Sequence, residues 1–209
     1  IILKSNPLPS VCGRVCHHPC EALCRRGKLD EPVSIMLLKR FASDARPSED
    51  LPVEKNGREK RPAVAVVGSG PSGLACAARL AQMGYPVTIF EAEKVAGGML
   101  ALGIPAYRLP RDILQRDIRR ILRAGVKLRT GVRVGKDVTL RELREKGFAA
   151  IYLAVGAWQE TPLNVPGSDR TGVLGSLSFL KAWNTGAIRP NKCVYTLKTA
   201  GSSIAITGS

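Results

Sequence analysis

At 209 residues, with 44% hydrophobic and 23% charged residues, the chain has an ordinary globular composition and can bury a core. Its apolar runs are shorter than the roughly 18 residues of a membrane span, and its first residues, IILKSNPLPSV, are not a signal peptide, so we expect a cytoplasmic protein. The net charge of +15 attracts anionic partners, but the basic residues are scattered and only 5% of residues are aromatic, which favours an acidic protein partner over nucleic acid.

Four cysteines lie close together near the N-terminus. They are Cys12, Cys16, Cys20 and Cys24. Thiolate sulfur is a soft ligand that suits iron, and tight spacing with intervening glycine and proline lets the chain wrap around an iron–sulfur cluster. The alternatives are a zinc site and unligated or disulfide-bonded cysteines. We interpret residues 1–41 as a small α-helical module, in which the segment VSIMLLKRFA forms a helix that Pro32 precedes.

A polar, charged and proline-bearing stretch, residues 42–62, is typical of a connecting segment. The apolar run that follows it, Ala63 to Val67, predicts a parallel strand that is covered on both faces. The loop GSGPSG, a helix from about Ser72 to Met83 and a second strand, VTIF, come next. This order of strand, glycine-rich loop, helix and strand is typical of a βαβ unit that binds a dinucleotide.

Each glycine of the loop has a physical role in that interpretation. Gly68 permits the tight turn, Gly70 lets a pyrophosphate approach the backbone, and Gly73 allows the helix to pack closely on the strand. The helix N-terminus offers free N–H groups to the phosphates. Glu91, at the end of the second strand, is placed to accept hydrogen bonds from the ribose hydroxyls, and its charge disfavours the 2′-phosphate of NADP here. FAD or NAD remains.

The later elements continue the alternation of strands and helices, which predicts an α/β fold with a layered sheet. Residues 111–124 have helical spacing, VKLRTGVRV gives short strands, and Thr139 with Glu142 predicts a capping box. AAIYLAVGA is predicted to be another buried strand. The predicted dinucleotide-binding domain spans residues 63–190, and residues 191–209 form a tail without this pattern.

Three sequence blocks resemble the glutamate synthase small-subunit family, which includes the flavin domain of dihydropyrimidine dehydrogenase. They are the cysteine run NPLPSVCGRVCHHPCEALCRRGKLDEPVSIMLLKRF, the segment GGMLALGIPAYRLPRDIL, and AAIYLAVGAWQETPLNVPGSDRTGVLGSLSFLKAWNTG. The resemblance extends from about Asn6 to Pro190. It implies FAD in the βαβ unit, a [4Fe–4S] cluster held by the cysteines, and NAD(P)H bound by a further domain of the intact relative.

The resemblance also implies a set of site residues. For the cofactor they are Gly68, Ser69, Gly70, Pro71, Ser72, Gly73, Glu91, Gly98, Met99, Arg108, Val134 and Gly156. Gly98 and Met99 would approach the flavin, Arg108 would pair with the flavin or its phosphates, Val134 would contact the adenine end through its backbone, and Gly156 would border the cofactor. In the family pattern Cys16, Cys20 and Cys24 are cluster ligands, whereas the cysteine that matches Cys12 is often a spectator.

Two departures from the family pattern affect this interpretation. The family's first cysteine run and its second glycine-rich loop, which binds the nicotinamide cofactor, do not occur in these residues. Lys39 stands where one relative of the family has a glutamine that ligates a cluster, and a lysine, being a cation, cannot act as that ligand. We therefore expect a chain truncated at both ends, with an incomplete Rossmann-like FAD-binding domain after an iron–sulfur fragment.

The implied function is that of an FAD-dependent oxidoreductase, an electron-input subunit that passes electrons between NAD(P)H, FAD and iron–sulfur clusters. Its partner would be an acidic electron-acceptor protein or a larger subunit. No catalytic side chain is assigned, because the flavin and the clusters carry the redox chemistry. The alternatives are an FAD-binding or assembly module that is catalytically incomplete and a basic nucleic-acid-binding protein with a structural zinc.

Overall fold

The computed structural model describes residues 1–46, 50–53, 61–161 and 165–188 and, for the backbone alone, residues 206–207. Short helices make up the N-terminal part: α1 (Ile2–Ser5), α2 (Pro9–Val15), α3 (Pro19–Ala22), a 3₁₀ helix (Arg25–Lys28) and α4 (Ile35–Ala45). Proline occupies the first position of α2 and of α3, where its missing N–H costs no helical hydrogen bond. Helix α4 packs against α2 and continues past residue 41.

The second part is a parallel sheet with helices. Its elements are β1 (Ala63–Val67), α5 (Pro71–Gln82), β2 (Val87–Glu91), α6 (Met99–Leu102), α7 (Arg111–Arg123), β3 (Lys127–Thr130), α8 (Leu140–Glu145), β4 (Phe148–Leu153), β5 (Leu174–Gly175), α9 (Ser176–Asn184) and β6 (Ile206–Thr207). The main sheet has the strand order β3-β2-β1-β4, and all of its pairs are parallel. Strands β5 and β6 form a separate parallel pair. The predicted α/β fold is confirmed.

The main hydrophobic core joins the two parts of the chain. Helices α5 and α7 bury apolar side chains against β1 and β2, and residues of the N-terminal helices enter the same cluster. Its members include Leu8, Val11, Val66, Leu74, Ile89, Leu114 and Ile118, all of them buried. A smaller cluster on the other face contains Ala65, Phe90, Val138 and Leu143. The N-terminal helices therefore dock on the sheet domain through apolar contacts.

Two features of the later elements differ from the sequence-based expectation. The predicted burial of the AAIYLAVGA strand is wrong: in β4, Tyr152 is 41% and Leu153 59% exposed, because β4 lies at the edge of the sheet and α8, which packs against it, is short. Within VKLRTGVRV, one strand forms, β3, and Val134 makes an isolated bridge to Val138.

Other expectations are confirmed or lie outside the described residues. The capping box is present, since the Thr139 hydroxyl accepts from the Glu142 N–H and the Glu142 carboxylate accepts from the Thr139 N–H. No described helix combines the length and apolar character that a bilayer crossing requires. Most of the linker, at 47–49 and 54–60, and most of the tail, at 191–205 and 208–209, lie outside the described residues, as do residues 162–164 and 189–190 of the predicted FAD-binding domain.

Candidate functional site

A crevice of about 750 Å³ lies at the carboxyl ends of the strands. The chain runs from β1 outwards through β2 to β3 and then places β4 on the opposite side of β1. The crevice therefore opens at the point where the strand order reverses, which is where doubly wound sheets bind their ligands. Residues 67–72, which end β1 and form the glycine-rich loop, are part of its lining.

The three glycines of the loop behave as the motif predicts. Gly68 has φ of +103°, and a Cβ there would overlap the Ala154 carbonyl oxygen; a Cβ at Gly73 would overlap the carbonyl oxygen of Gly68. Both glycines are therefore required by the fold. Gly70 differs from them, because a Cβ at this position would meet no protein atom within 4 Å. Packing does not explain Gly70, whereas close approach of a ligand does.

Helix α5 begins directly at this loop. Gly70 is its N-cap residue, Pro71 occupies its first turn, and no side chain caps it. The free N–H groups of its first turn are available to an anion. The hydroxyls of Ser72 and Tyr152 are 3.0 Å apart, so a hydrogen bond links the helix start to strand β4.

Glu91 lies at the end of β2 and is buried, with 6% exposure. Its Oε2 accepts hydrogen bonds from the backbone N–H and the hydroxyl of Ser69, at 2.8 and 2.5 Å, and its Oε1 accepts from the N–H of Glu93 at 2.8 Å. The Ser69 hydroxyl in turn accepts from the N–H of Gly97 at 3.0 Å. Because a carboxylate offers about four acceptor positions, Oε1 keeps capacity for a sugar hydroxyl.

Of the other predicted cofactor residues, Gly98, Met99, Val134 and Gly156 line this crevice. Arg108 does not line it. The Arg108 side chain borders a separate cavity of about 410 Å³, together with Arg14 and Arg40 from the N-terminal helices. Ten of the twelve residues predicted for the cofactor thus line the crevice. Gly73 packs against the Gly68 carbonyl behind the loop, and Arg108 lies at the junction with the N-terminal part. Its role stays a prediction.

Sequence reasoning missed a further wall of the crevice. Helix α9 contributes Leu177, Ser178 and Lys181, and Glu93 and Trp158 also line the crevice. No local pattern marks these residues, since a lysine in a chain with 32 basic residues carries no signal until the fold places it.

The predicted metal ligands lie on and between α2, α3 and the 3₁₀ helix. Within the described residues, no three Cys, His, Asp or Glu side chains come close enough to hold a metal ion. The environments of two of the sulfur atoms, those of Cys16 and Cys24, nevertheless suit thiolate ligands. The Sγ atom of Cys16 accepts from the N–H of His18 at 3.3 Å. Hydrogen bonds from the backbone at Val33, and then at Arg26, lower the pKa of Cys24. Ligation of a cluster by these cysteines stays a prediction.

Two family models match the chain, one for each part. Residues 1–51 match dihydropyrimidine dehydrogenase domain II, 4Fe-4S cluster. Residues 62–208 match the pyridine nucleotide-disulphide oxidoreductase family. These matches agree with the predicted cofactor classes, a 4Fe–4S cluster for the first part and a dinucleotide for the second.

Relatives and a solved structure give the same picture. The chain is 50% identical over 193 residues to the NADPH-Fe(3+) oxidoreductase subunit beta of Geobacter sulfurreducens, covering 87% of this chain and 28% of the relative. It is 37% identical to the glutamate synthase [NADPH] small chain of Bacillus subtilis, covering 86% and 36%. Mycobacterium tuberculosis FprA in complex with NADPH has a TM-score of 0.54 and 26% identity, covering 59% of this chain and 29% of FprA. The chain thus spans about a third of these proteins, and the predicted resemblance is confirmed.

Proposed function

This chain belongs to the pyridine nucleotide-disulphide oxidoreductase family, and on that basis we propose that it is the FAD-binding part of an NAD(P)H-dependent oxidoreductase that feeds electrons to iron–sulfur clusters. Bound FAD would supply the change from two-electron to one-electron transfer. The chain would hold the diphosphate at the start of α5 and the ribose at Glu91. Electrons would leave through a [4Fe–4S] cluster held by the N-terminal cysteines.

The observation that carries this proposal is the environment of Gly70. A Cβ at Gly70 would meet no protein atom within 4 Å, and the φ of −66° at Gly70 is open to any residue. Folding therefore does not require glycine there, but a diphosphate lying on the loop does. The acceptor position that remains on Glu91 fits the adenosine ribose of the same ligand.

Two finer assignments belong to the same proposal. Two relatives that the chain resembles are called a subunit beta and a small chain, which supports a larger partner subunit as the electron acceptor. The basic charge of +15 supports an acidic docking surface on that partner, since opposite charges accelerate association. The hydrogen bonds to Cys16 and Cys24 support their role as cluster ligands, because N–H donors stabilise thiolate sulfur.

The test is FAD binding by wild type and by Gly70→Val, followed by flavin absorbance and by calorimetry. We expect the wild type to bind FAD and the variant to lose at least about tenfold in affinity, since about 1.4 kcal/mol of lost contact is enough for that factor. The thermal unfolding midpoint of this variant should fall less than that of a variant at Gly73, because valine at the N-cap of α5 costs only the capping preference. Anaerobic reconstitution with iron and sulfide should add a broad iron–sulfur absorbance.

Gly73→Ala is the matched control, because the new Cβ would overlap the Gly68 carbonyl oxygen. We expect this variant to have a lower unfolding midpoint as well as a lower affinity for FAD. A wild-type chain that binds no FAD would refute the proposed function. Equal FAD affinities of wild type and Gly70→Val would refute the assignment of the loop to the diphosphate.

A further inference from the structure

Lys181 is a charged side chain that projects into the crevice from helix α9. Its Nζ atom lies 2.7 Å from Oε1 of Glu93 and 5.4 Å from the centre of the Trp158 ring. Its side chain is 39% exposed and that of Glu93 is 25% exposed, so this ion pair forms within the rim of the crevice, where solvent screening is reduced.

The partners of Lys181 follow two different strands. Glu93 comes two residues after the end of β2, and Trp158 comes five residues after the end of β4. Strand β1, which leads into the glycine-rich loop, lies between β2 and β4 in the sheet. An ammonium group that contacts both partners therefore lies across the carboxyl end of β1. The Trp158 ring also lies beside Gly156, since a Cβ placed on this glycine would be 3.5 Å from the indole nitrogen.

Helix α9 is fixed at both ends, so the position of Lys181 is not that of a loose surface lysine. At its start, the Glu160 carboxylate accepts from the backbone N–H of Leu177 and from the Ser178 hydroxyl. At its end, the Asn184 amide donates to the Leu102 carbonyl oxygen at 2.8 Å. Leu102 belongs to α6, the helix that begins at the crevice residues Gly98 and Met99.

Two cationic side chains line the crevice, and they differ in position: Arg133 follows β3, the edge strand two places from β1, whereas Lys181 lies across the carboxyl end of β1. The charged lining residues of the crevice are Glu91, Glu93, Arg133 and Lys181, and Glu91 is engaged by Ser69 and by the N–H of Glu93. The glycine-rich loop offers N–H groups but no cationic side chain. We propose that Lys181 binds the diphosphate of the dinucleotide and that Glu93 positions its ammonium for this contact. This inference rests on the proposed function and adds to it a side chain that binds the diphosphate.

The experiment compares the affinities of wild type and Lys181→Met for FAD, ADP and riboflavin by calorimetry. Methionine keeps an unbranched side chain against Trp158 but removes the charge. We expect the variant to bind FAD and ADP about tenfold more weakly, the loss typical of a charge-assisted hydrogen bond, and riboflavin with unchanged affinity. Lys181→Arg should restore most of the affinity for FAD. The wild-type dissociation constant should rise more steeply with salt than that of Lys181→Met.

Lys146→Ala is the control for the loss of one positive charge, since Lys146 is exposed and lies outside the crevice. The FAD affinity of Lys146→Ala should equal that of the wild type. If wild type binds FAD and Lys181→Met binds it equally well, the inference is wrong and the proposed function stands. An equal loss of FAD and riboflavin affinity would also overturn it, because the contact would then not be to phosphate. If wild type binds no FAD, it is the proposed function that fails.

Discussion

Replacing Asp117 with alanine is expected to loosen the attachment of helix α2, which carries Cys12, to the sheet domain. Asp117 lies on α7 and is fully buried. Its Oδ2 accepts from the backbone N–H groups of Ser10 and Val11 at 3.0 and 3.1 Å, and its Oδ1 accepts from the Ser10 hydroxyl at 2.8 Å and from Arg120 at 2.5 Å. A carboxylate from one part of the chain thus caps a helix of the other.

The magnitude follows from burial. The side chains of Asp117 and Arg120 are 0% and 1% exposed, and removal of one partner from a buried ion pair costs about 3–5 kcal/mol. This range includes the loss of the helix cap, which by itself costs about 1 kcal/mol. Asp117→Asn keeps the shape but loses the charge, so we expect a smaller loss, of about 1–3 kcal/mol.

The assay is the free energy of unfolding in urea, together with hydrogen exchange of α2 followed by mass spectrometry. Exchange should accelerate in α2 for Asp117→Ala, since the N–H groups of Ser10 and Val11 lose their acceptor. Glu145→Ala is the control: its ion pair with Arg141 has side chains that are 62% and 87% exposed and is worth at most about 1 kcal/mol. A loss for Asp117→Ala no larger than that for the control would refute the reasoning.

Two further predictions concern other polar contacts. Burial raises the pKa of Asp44, but hydrogen bonds from Arg116 and Arg14 outweigh this effect and lower it. Because a lowered carboxyl pKa adds stability that is lost as pH falls through the folded value, below about 4, Asp44→Asn should reduce the steepness with which the free energy of unfolding falls in acid. Glu160→Ala removes the acceptor at the start of α9; this change should cost about 1 kcal/mol and accelerate hydrogen exchange in α9.

The Asp44 ion pairs and the cap of α9 can each be contradicted by a separate measurement. Identical acid dependence of the unfolding free energy in wild type and Asp44→Asn would show that the pairs with Arg116 and Arg14 do not persist in solution. For α9, the comparison is Glu142→Ala, which removes the equivalent acid from the capping box of α8 and should accelerate exchange in α8 alone. Unchanged exchange of α9 in Glu160→Ala would contradict the cap.

The sequence alone determined the α/β fold and the βαβ unit with its glycine-rich loop, because these depend on neighbours in the chain. The apolar run of β1, the glycines at 68, 70 and 73, and the acid that ends β2 lie within 29 consecutive residues, 63–91. Over such distances, periodicity and turn chemistry specify the structure. The capping box of α8 was predictable for the same reason, since its two residues are three positions apart.

Tertiary structure decided what depends on distant residues. Lys181 meets Glu93 across 88 positions, and Asp117 caps α2 across 107, and no local pattern encodes either contact. The exposure of β4 was also undetermined, because an apolar run does not show whether its strand lies at the centre or at the edge of a sheet. Packing alone placed Arg108 beside the N-terminal helices and α9 beside the crevice, since these positions follow from which apolar faces meet in the folded chain.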